Sequence, residues 1–274
     1  MYLGSLVTLA VSQVANQLVG TFFLYVALQS LIFVVPVAIT VFYVRVVEKA
    51  GLWASTGFEK KSLPRVIAYT LALNLLSFLL SVLLFSAGEY LTPKLPDVAK
   101  YDPAAVQTAF QSLPRPAYWY MVFTSVVYAG FGEEFIFRGY ILTRLLKKGR
   151  LFGVLTSAVM WSSLHLWYLP TLGSTGIWQH LDVILTGLLF GVAYVRVRCI
   201  WPFIAVHAYT DILLPLSFLY PGGAVDLVAF IVLILGLITV AALMVHYVYS
   251  RFLRATHPST GQNDSLGPIR GPPL

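Results

Sequence analysis

Long apolar runs, each about the length of a membrane-spanning helix, follow one another along this chain. A helix needs roughly 20 mostly apolar residues to cross the hydrocarbon core of a bilayer. Only 11% of the residues are charged and the mean hydropathy is +0.81, so most of the protein surface must face lipid. The predicted fold class is therefore all-α, and the protein is expected to be a polytopic membrane protein.

The apolar runs divide into about eight predicted transmembrane helices around a buried polar site. These spans are 2–27, 31–47, 64–91, 117–146, 151–169, 178–195, 201–219 and 226–249. Basic residues follow the second, fourth, sixth and eighth spans, and this count places all four basic clusters on one side. Because Lys and Arg accumulate in cytoplasmic connections, we expect both the N-terminus and the C-terminus to be cytoplasmic.

The domain organisation predicted from these runs is simple. Residues 1–254 are expected to form one integral membrane helical domain, and residues 255–274, rich in Pro, Gly, Ser and Asn, a disordered C-terminal tail. The positive-inside pattern accounts for the formal net charge of +7, so no nucleic-acid partner is expected. Cys199 is the single cysteine, which excludes an intramolecular disulfide within the chain. The membrane would be the plasma membrane in a prokaryote and the endoplasmic reticulum in a eukaryote.

Three ionisable residues interrupt the fourth span. Each charged side chain at the centre of a bilayer costs roughly 2.5–3.5 kcal/mol on insertion scales, so such groups are paired or functional. Glu134 and Arg138 are four residues apart and share a helix face, which predicts a salt bridge. Glu133 points about 100° away from that face and is therefore available for another role.

Polar residues of two further spans reach a similar membrane depth. At 1.5 Å per residue, Glu133 and His165 lie about 20 Å from the cytoplasmic ends of their spans, and the pair His207 and Asp211 about 10–16 Å. A buried carboxylate can take a proton from water, an imidazole can orient that water, and further polar groups can stabilise an oxyanion. This combination favours hydrolysis by an activated water in a cavity among spans four, five and seven, open sideways to lipid.

Three motifs in this chain resemble those of the CAAX prenyl protease and bacteriocin-processing family (CPBP, or Abi) of intramembrane proteases. The motifs are Glu133-Glu134-x-x-x-Arg138, Trp161-x-x-x-His165 and His207-x-x-x-Asp211, all within residues 117–220. The resemblance implies a glutamate-dependent peptidase without a cofactor. It also implies cleavage of the kind performed by type 2 CAAX prenyl endopeptidases, which release a C-terminal tripeptide from a prenylated substrate.

The resemblance further implies a role for each motif residue. Glu133 would activate water with the help of His165, while His207 and Asp211 would form the oxyanion hole. The residues implied to support them are Glu134, Arg138 and Trp161.

Two positions depart from the family pattern. Trp161 stands where Phe is usual, and Asp211 stands where the prenyl-protease branch has Asn. Because an ionised Asp cannot donate a hydrogen bond, Asp211 is either protonated or orients His207.

Two alternatives remain open at this point. A zinc-dependent intramembrane protease would use Glu133, His165, His207 and Asp211 as ligands. A non-proteolytic relative, either an immunity or scaffold protein or a proton-coupled transporter, would use the buried charges without cleaving peptides. The expected partners are a lipidated or membrane-embedded peptide and membrane lipid, and the motifs do not specify the natural substrate.

Overall fold

The computed structural model describes residues 19–59, 61–91, 115–166, 168–171, 173–220 and 223–256. All regular secondary structure in these ranges is helical, as predicted. The α-helices are α1 (Val19–Phe42), α2 (Leu52–Ser55), α3 (Leu63–Leu91), α4 (Arg115–Thr124), α5 (Arg150–Ser163), α6 (Tyr168–Thr171), α7 (Gly173–Val197), α8 (Trp201–Leu219) and α9 (Ala224–Thr256). Most of the predicted first span and nearly all of the predicted tail lie outside the described residues.

The fourth predicted span forms one continuous rod, but most of it is not an α-helix. From α4 the chain continues through two π-helical stretches, Ser125–Glu133 and Phe135–Leu142, which we call together the π segment. An α-helical turn, Thr143–Leu145, follows. The bounds agree closely with the predicted span 117–146, whereas hydropathy did not predict the wider turns. Such π geometry is usually confined to single turns and is frequent at functional sites.

Two glycines let the π segment approach its neighbours at backbone distance. A Cβ atom at Gly130 would lie 2.7 Å from the Cβ of Ala208 in α8. At Gly139 it would lie 2.6 Å from the carbonyl oxygen of Thr56. Larger side chains would force these elements apart. The close approach brings His207, adjacent to Ala208, against the acidic residues of the π segment.

The main apolar core lies between the π segment, α7 and α8. Its buried side chains include Phe135, Phe190, Tyr194, Phe203 and Val206. Phe203 makes edge contacts with both Phe190 and Tyr194, at ring-centroid distances of 5.4 Å and 5.8 Å. This core holds the two motif-bearing elements, the π segment and α8, at a fixed distance from each other.

Three helices among the described residues are long and apolar enough to cross a membrane. They are Leu63–Gly88, Gly176–Val197 and Ala224–Ser250, and they fall within or close to three of the predicted spans. A shorter apolar helix, Phe33–Val47, lies in the predicted second span. These helices support a membrane protein, but they do not confirm the predicted count of eight. Part of the reason is geometric, because α5 has only 14 residues and the π segment interrupts the fourth span.

A polar contact joins the end of the rod formed by the fourth predicted span to the helices that precede it in the chain. The Arg144 guanidinium donates from Nε to Glu48 Oε1 at 3.2 Å and forms a salt bridge with the same carboxylate. It also donates to the carbonyl oxygen of Ser55. Glu48 follows the predicted second span and Arg144 lies at the end of the predicted fourth span, next to the basic clusters from which the sequence analysis predicted the cytoplasmic side.

Candidate active site

The salt bridge predicted within the first motif is present and completely buried. Arg138 Nη1 donates to Glu134 Oε1 at 2.9 Å, and the two side chains are 1% and 0% exposed. The guanidinium also lies 4.3 Å from the ring centroid of Trp161 and 5.3 Å from that of Phe190. Aromatic faces attract a desolvated cation, so the arginine is compensated on more than one side.

Glu133 lies on the other face of the π segment and is bound by an aromatic side chain. The indole Nε1 of Trp161 donates to Glu133 Oε2 at 2.5 Å, and the carboxyl group is buried. The sequence predicted that Glu133 has no local charge partner, which agrees with this geometry. It did not predict that Trp161, which the resemblance implied only as a supporting residue, would hold the carboxylate.

His207 connects the acidic groups of the site. Its Nδ1 lies 2.8 Å from Glu134 Oε1. Because the Glu134 carboxylate is paired with Arg138 and can only accept, Nδ1 carries the hydrogen in this contact. The other ring nitrogen, Nε2, lies 3.4 Å from Asp211 Oδ2 and 4.0 Å from Glu133 Oε2. A single imidazole thus reaches three carboxyl groups.

His207 has a hydrogen-bond partner that the sequence did not predict, namely Glu134. Glu134 was expected to pair with Arg138, yet the same oxygen also holds the imidazole. Asp211 lies on the other side of the ring, as expected for residues four apart in α8. The contact between His207 Nε2 and Asp211 Oδ2 is compatible with both expected roles of Asp211, orienting His207 or donating a proton to it.

His165 occupies the turn that follows α5. Its Nδ1 lies 3.1 Å from the carbonyl oxygen of Trp161. A carbonyl can only accept, so Nδ1 carries the hydrogen and Nε2 of the neutral ring has a free lone pair. The imidazole packs between the rings of Trp161 and Tyr168, at centroid distances of 5.2 Å and 5.6 Å. These contacts fix a nitrogen acceptor in the site.

A cavity of about 410 Å³ lies against this cluster. Three of the four predicted catalytic residues line it, namely His165, His207 and Asp211, whereas Glu133 lies behind the Trp161 indole. The cavity was predicted among spans four, five and seven. In the structure its walls come from α3, α5, α6, α7 and α8, and the fourth span is absent from the lining of this cavity.

The cavity lining also contains a polar pair that the sequence analysis missed. Ser81 of α3 donates from Oγ to Asp182 Oδ1 of α7 at 2.8 Å, and both residues line the cavity. A signal was available, because Asp182 is a charged residue within the apolar span 178–195. The cost of a charge in a bilayer should have marked this position as it marked Glu133.

The donor types of the site suit a zinc ion, but their placement does not assemble a ligand set. No group of three or more His, Cys, Asp or Glu side chains within the described ranges is arranged to hold a metal ion. His207 has Nδ1 engaged with Glu134, and His165 has Nδ1 engaged with a backbone carbonyl. The zinc alternative therefore rests on residue types, and chelation is the direct test of it.

Apolar helices together with a buried cluster of carboxyl and imidazole groups define a helical membrane protein with a polar internal site. Residues 115–213 match the family model described as type II CAAX prenyl endopeptidase Rce1-like. The matched stretch runs from α4 into α8 and contains all three motifs, so the predicted family resemblance is confirmed there. The match supports a membrane protease of the CAAX prenyl endopeptidase type.

Two other comparisons gave no relatives. Neither the curated proteins nor the solved structures contained a significant match to this chain.

Proposed function

We propose that this protein is an intramembrane endopeptidase that releases a C-terminal tripeptide from a prenylated substrate by means of an activated water. The observation that carries the proposal is the convergence of Glu133, His165, His207 and Asp211, from three separate helical elements, on one buried site. The family match supports the peptidase class. The long apolar helices support a site within a membrane, where a lipidated peptide would be held.

Each residue has a distinct task in the proposed reaction. Water binds between His165 Nε2 and the Glu133 carboxylate, which takes its proton as the oxygen attacks the peptide carbonyl. His207 acts as an imidazolium in this step: Nδ1–H stays bonded to Glu134, and Nε2–H donates to the developing oxyanion, with the positive charge balanced by the Asp211 carboxylate. The proton on Glu133 then passes to the leaving amine. Asp211 stabilises the imidazole while Nε2 donates.

The Trp161 indole must move during the proposed reaction. The indole both lines the cavity and donates to Glu133, so it separates the carboxylate from the space that receives the substrate. In the proposed mechanism a small shift of the indole admits one water to Glu133. That water then replaces the indole N–H as the hydrogen-bond donor to Glu133.

The proposal includes the topology predicted from the sequence. About eight spans place both termini and the basic clusters in the cytoplasm, and residues 1–254 form one membrane domain. The contact of Arg144 with Glu48 supports it, because this contact joins the ends of the second and fourth predicted spans. The membrane is the plasma membrane of a prokaryote or the endoplasmic reticulum of a eukaryote.

The first test is cleavage of a prenylated CaaX reporter peptide by the detergent-purified protein. Glu133→Gln should lower kcat/KM by about 10²–10⁴-fold, because the variant lacks the base that takes the proton of water. The matched control is Glu59→Gln, which changes a half-exposed acid paired with Lys61. Full activity in both Glu133→Gln and His165→Ala would refute the proposed mechanism.

The same assay with a strong chelator addresses the zinc alternative. Cleavage that continues after chelation and disappears in Glu133→Gln supports the glutamate mechanism. Loss of cleavage on chelation, with recovery on adding zinc, would replace it with a metal site. A folded wild-type protein that cleaves no prenylated peptide would favour a non-proteolytic relative.

A further inference from the structure

We propose that Ser81 and Asp182 form a substrate subsite that binds a cationic side chain of the peptide, such as lysine. The inference rests on the proposed peptidase function and adds a specificity to it. Asp182 belongs to α7 and Ser81 to α3, so the subsite comes from helices that contain none of the three motifs and lines the same cavity as His207.

The geometry of this pair suits a binding role. Ser81 Oγ donates to one carboxyl oxygen of Asp182 at 2.8 Å and so fixes the orientation of the carboxyl group. A carboxylate has about four lone-pair positions, and one serine uses a single one of them. Asp182 also lines the 410 Å³ cavity that His207 and Asp211 line. A peptide in contact with His207 therefore shares a continuous space with Asp182.

The charge of the lining determines what this space accepts. The ionisable side chains that line the cavity are the carboxyl groups of Asp182 and Asp211, the imidazoles of His165 and His207, and the phenol of Tyr168. The remaining polar lining residues are Ser77, Ser81, Trp161, Gln179, Thr186 and Thr210. No Lys or Arg contributes to this lining within the described ranges. The cavity consequently favours a cation or a hydrogen-bond donor and disfavours a carboxylate.

A purely structural role explains Asp182 less well. The contact between α3 and α7 is already secured by Trp178, whose ring would lie 2.8 Å from a Cβ at Gly88. A neutral asparagine would accept the same bond from Ser81 without the cost of placing a charge in an apolar helix. An acid at this position gains a compensating partner when the substrate supplies a positive charge.

The size of the cavity agrees with a short peptide segment as ligand. Pockets of roughly 300–1,000 Å³ hold drug-sized ligands, and this cavity lies near the lower end. It can hold a few residues of an extended peptide. The free C-terminal carboxylate of that peptide lacks a cationic partner in the lining, so the peptide should direct this terminus away from Asp182.

The experiment compares prenylated peptides that differ at one residue near the scissile bond, which is lysine, glutamine or glutamate. Binding is measured by fluorescence with the Glu133→Gln protein, and cleavage with the active protein. When the varied residue is the one that reaches Asp182, the lysine peptide should bind more tightly than the glutamate peptide. Asp182→Asn should reduce that preference by about tenfold or more, as expected when one charge-assisted hydrogen bond is lost.

Two further variants separate recognition from structure. Ser81→Ala removes the bond that orients the carboxyl group but keeps the acid, so the preference for lysine should fall by less than in Asp182→Asn. Asp226→Asn, at the exposed start of α9, should change neither the preference nor the activity. If Asp182→Asn keeps the full lysine preference, or weakens all three peptides equally, the subsite is refuted.

The binding measurement also keeps this inference apart from the proposed function. A lysine preference that depends on Asp182 in a protein without peptidase activity would support the subsite and refute the peptidase proposal. Cleavage that depends on Glu133 without any charge preference would support the peptidase proposal and refute the subsite.

Discussion

Two arginines of the same helical rod, Arg138 and Arg144, form ion pairs with glutamates in very different surroundings. Arg138 and Glu134 in the π segment are 1% and 0% exposed. Arg144 and Glu48, at the end of the rod, are 23% and 27% exposed. Each arginine also lies 4.3 Å from an aromatic ring centroid, that of Trp161 for Arg138 and that of Tyr140 for Arg144. The buried pair in addition contacts His207, whereas the outer pair contacts a backbone carbonyl. Because burial removes the screening by solvent, we expect the buried pair to matter more for stability than the outer pair.

The strongest way to test this contrast is to remove the buried cation. Arg138→Met should lower the free energy of unfolding by about 3–5 kcal/mol, because it leaves Glu134 buried without its positive partner. Thermal unfolding in detergent would measure the loss. The double variant Glu134→Gln/Arg138→Met should recover part of it, since no unpaired charge remains. A loss below about 1 kcal/mol would mean that the buried ion pair stabilises the protein no more than the exposed one.

The second test concerns the aromatic side chain that joins the buried pair to the proposed base. Trp161→Phe keeps a ring beside Arg138 but removes the indole N–H that binds Glu133. We expect a loss of about 1.5–3 kcal/mol in unfolding free energy, as for other hydrogen bonds to charged groups. Chemical denaturation in mixed micelles would measure it. An unchanged stability would mean that water replaces the indole without cost.

The smallest effect belongs to the outer pair. Glu48→Gln should cost at most about 1 kcal/mol at neutral pH, because exposed ion pairs are screened by solvent. The hydrogen bond from Arg144, together with its charge, holds the pKa of Glu48 below the ordinary value of 4.5. Its contribution is therefore present above pH 4.5 and is lost as the pH falls through the lowered pKa. Stability measured between neutral and acidic pH should show a smaller acid-induced loss in Glu48→Gln. An identical loss in both proteins would contradict this assignment.

The buried pair and the polar cluster could be predicted from the sequence because they follow from spacing. Residues four apart on a helix share a face, which gave the contacts Glu134–Arg138 and His207–Asp211. Counting the depth of each polar residue in its span predicted that separate helices would meet at Glu133. The first argument needs only the regular rotation per residue of a helix, and the second only its regular rise.

The remaining features depend on information that hydropathy does not contain. An apolar run does not distinguish an i→i+4 from an i→i+5 hydrogen-bond pattern, so the π segment was not predicted. The bond from Trp161 to Glu133 joins residues 28 positions apart, and it depends on how α5 packs. The contribution of α3 to the cavity was missed because α3 contains none of the three motifs. Asp182 was missed because the cost of a buried charge was considered for one span only.

The lengths of the apolar helices have a mechanical consequence for the cavity. The apolar stretches of α3 and α9 contain 26 and 27 residues, whereas that of α7 contains 22. At 1.5 Å per residue the first two measure about 40 Å, against a hydrocarbon thickness of about 30 Å. Helices that exceed the bilayer tilt or thicken it locally. Since α3 packs closely on Gly236 of α9 and is bonded to α7 through Ser81, a change in tilt would move this wall of the cavity relative to α8. We therefore expect the thickness of the host membrane to influence the width of the cavity.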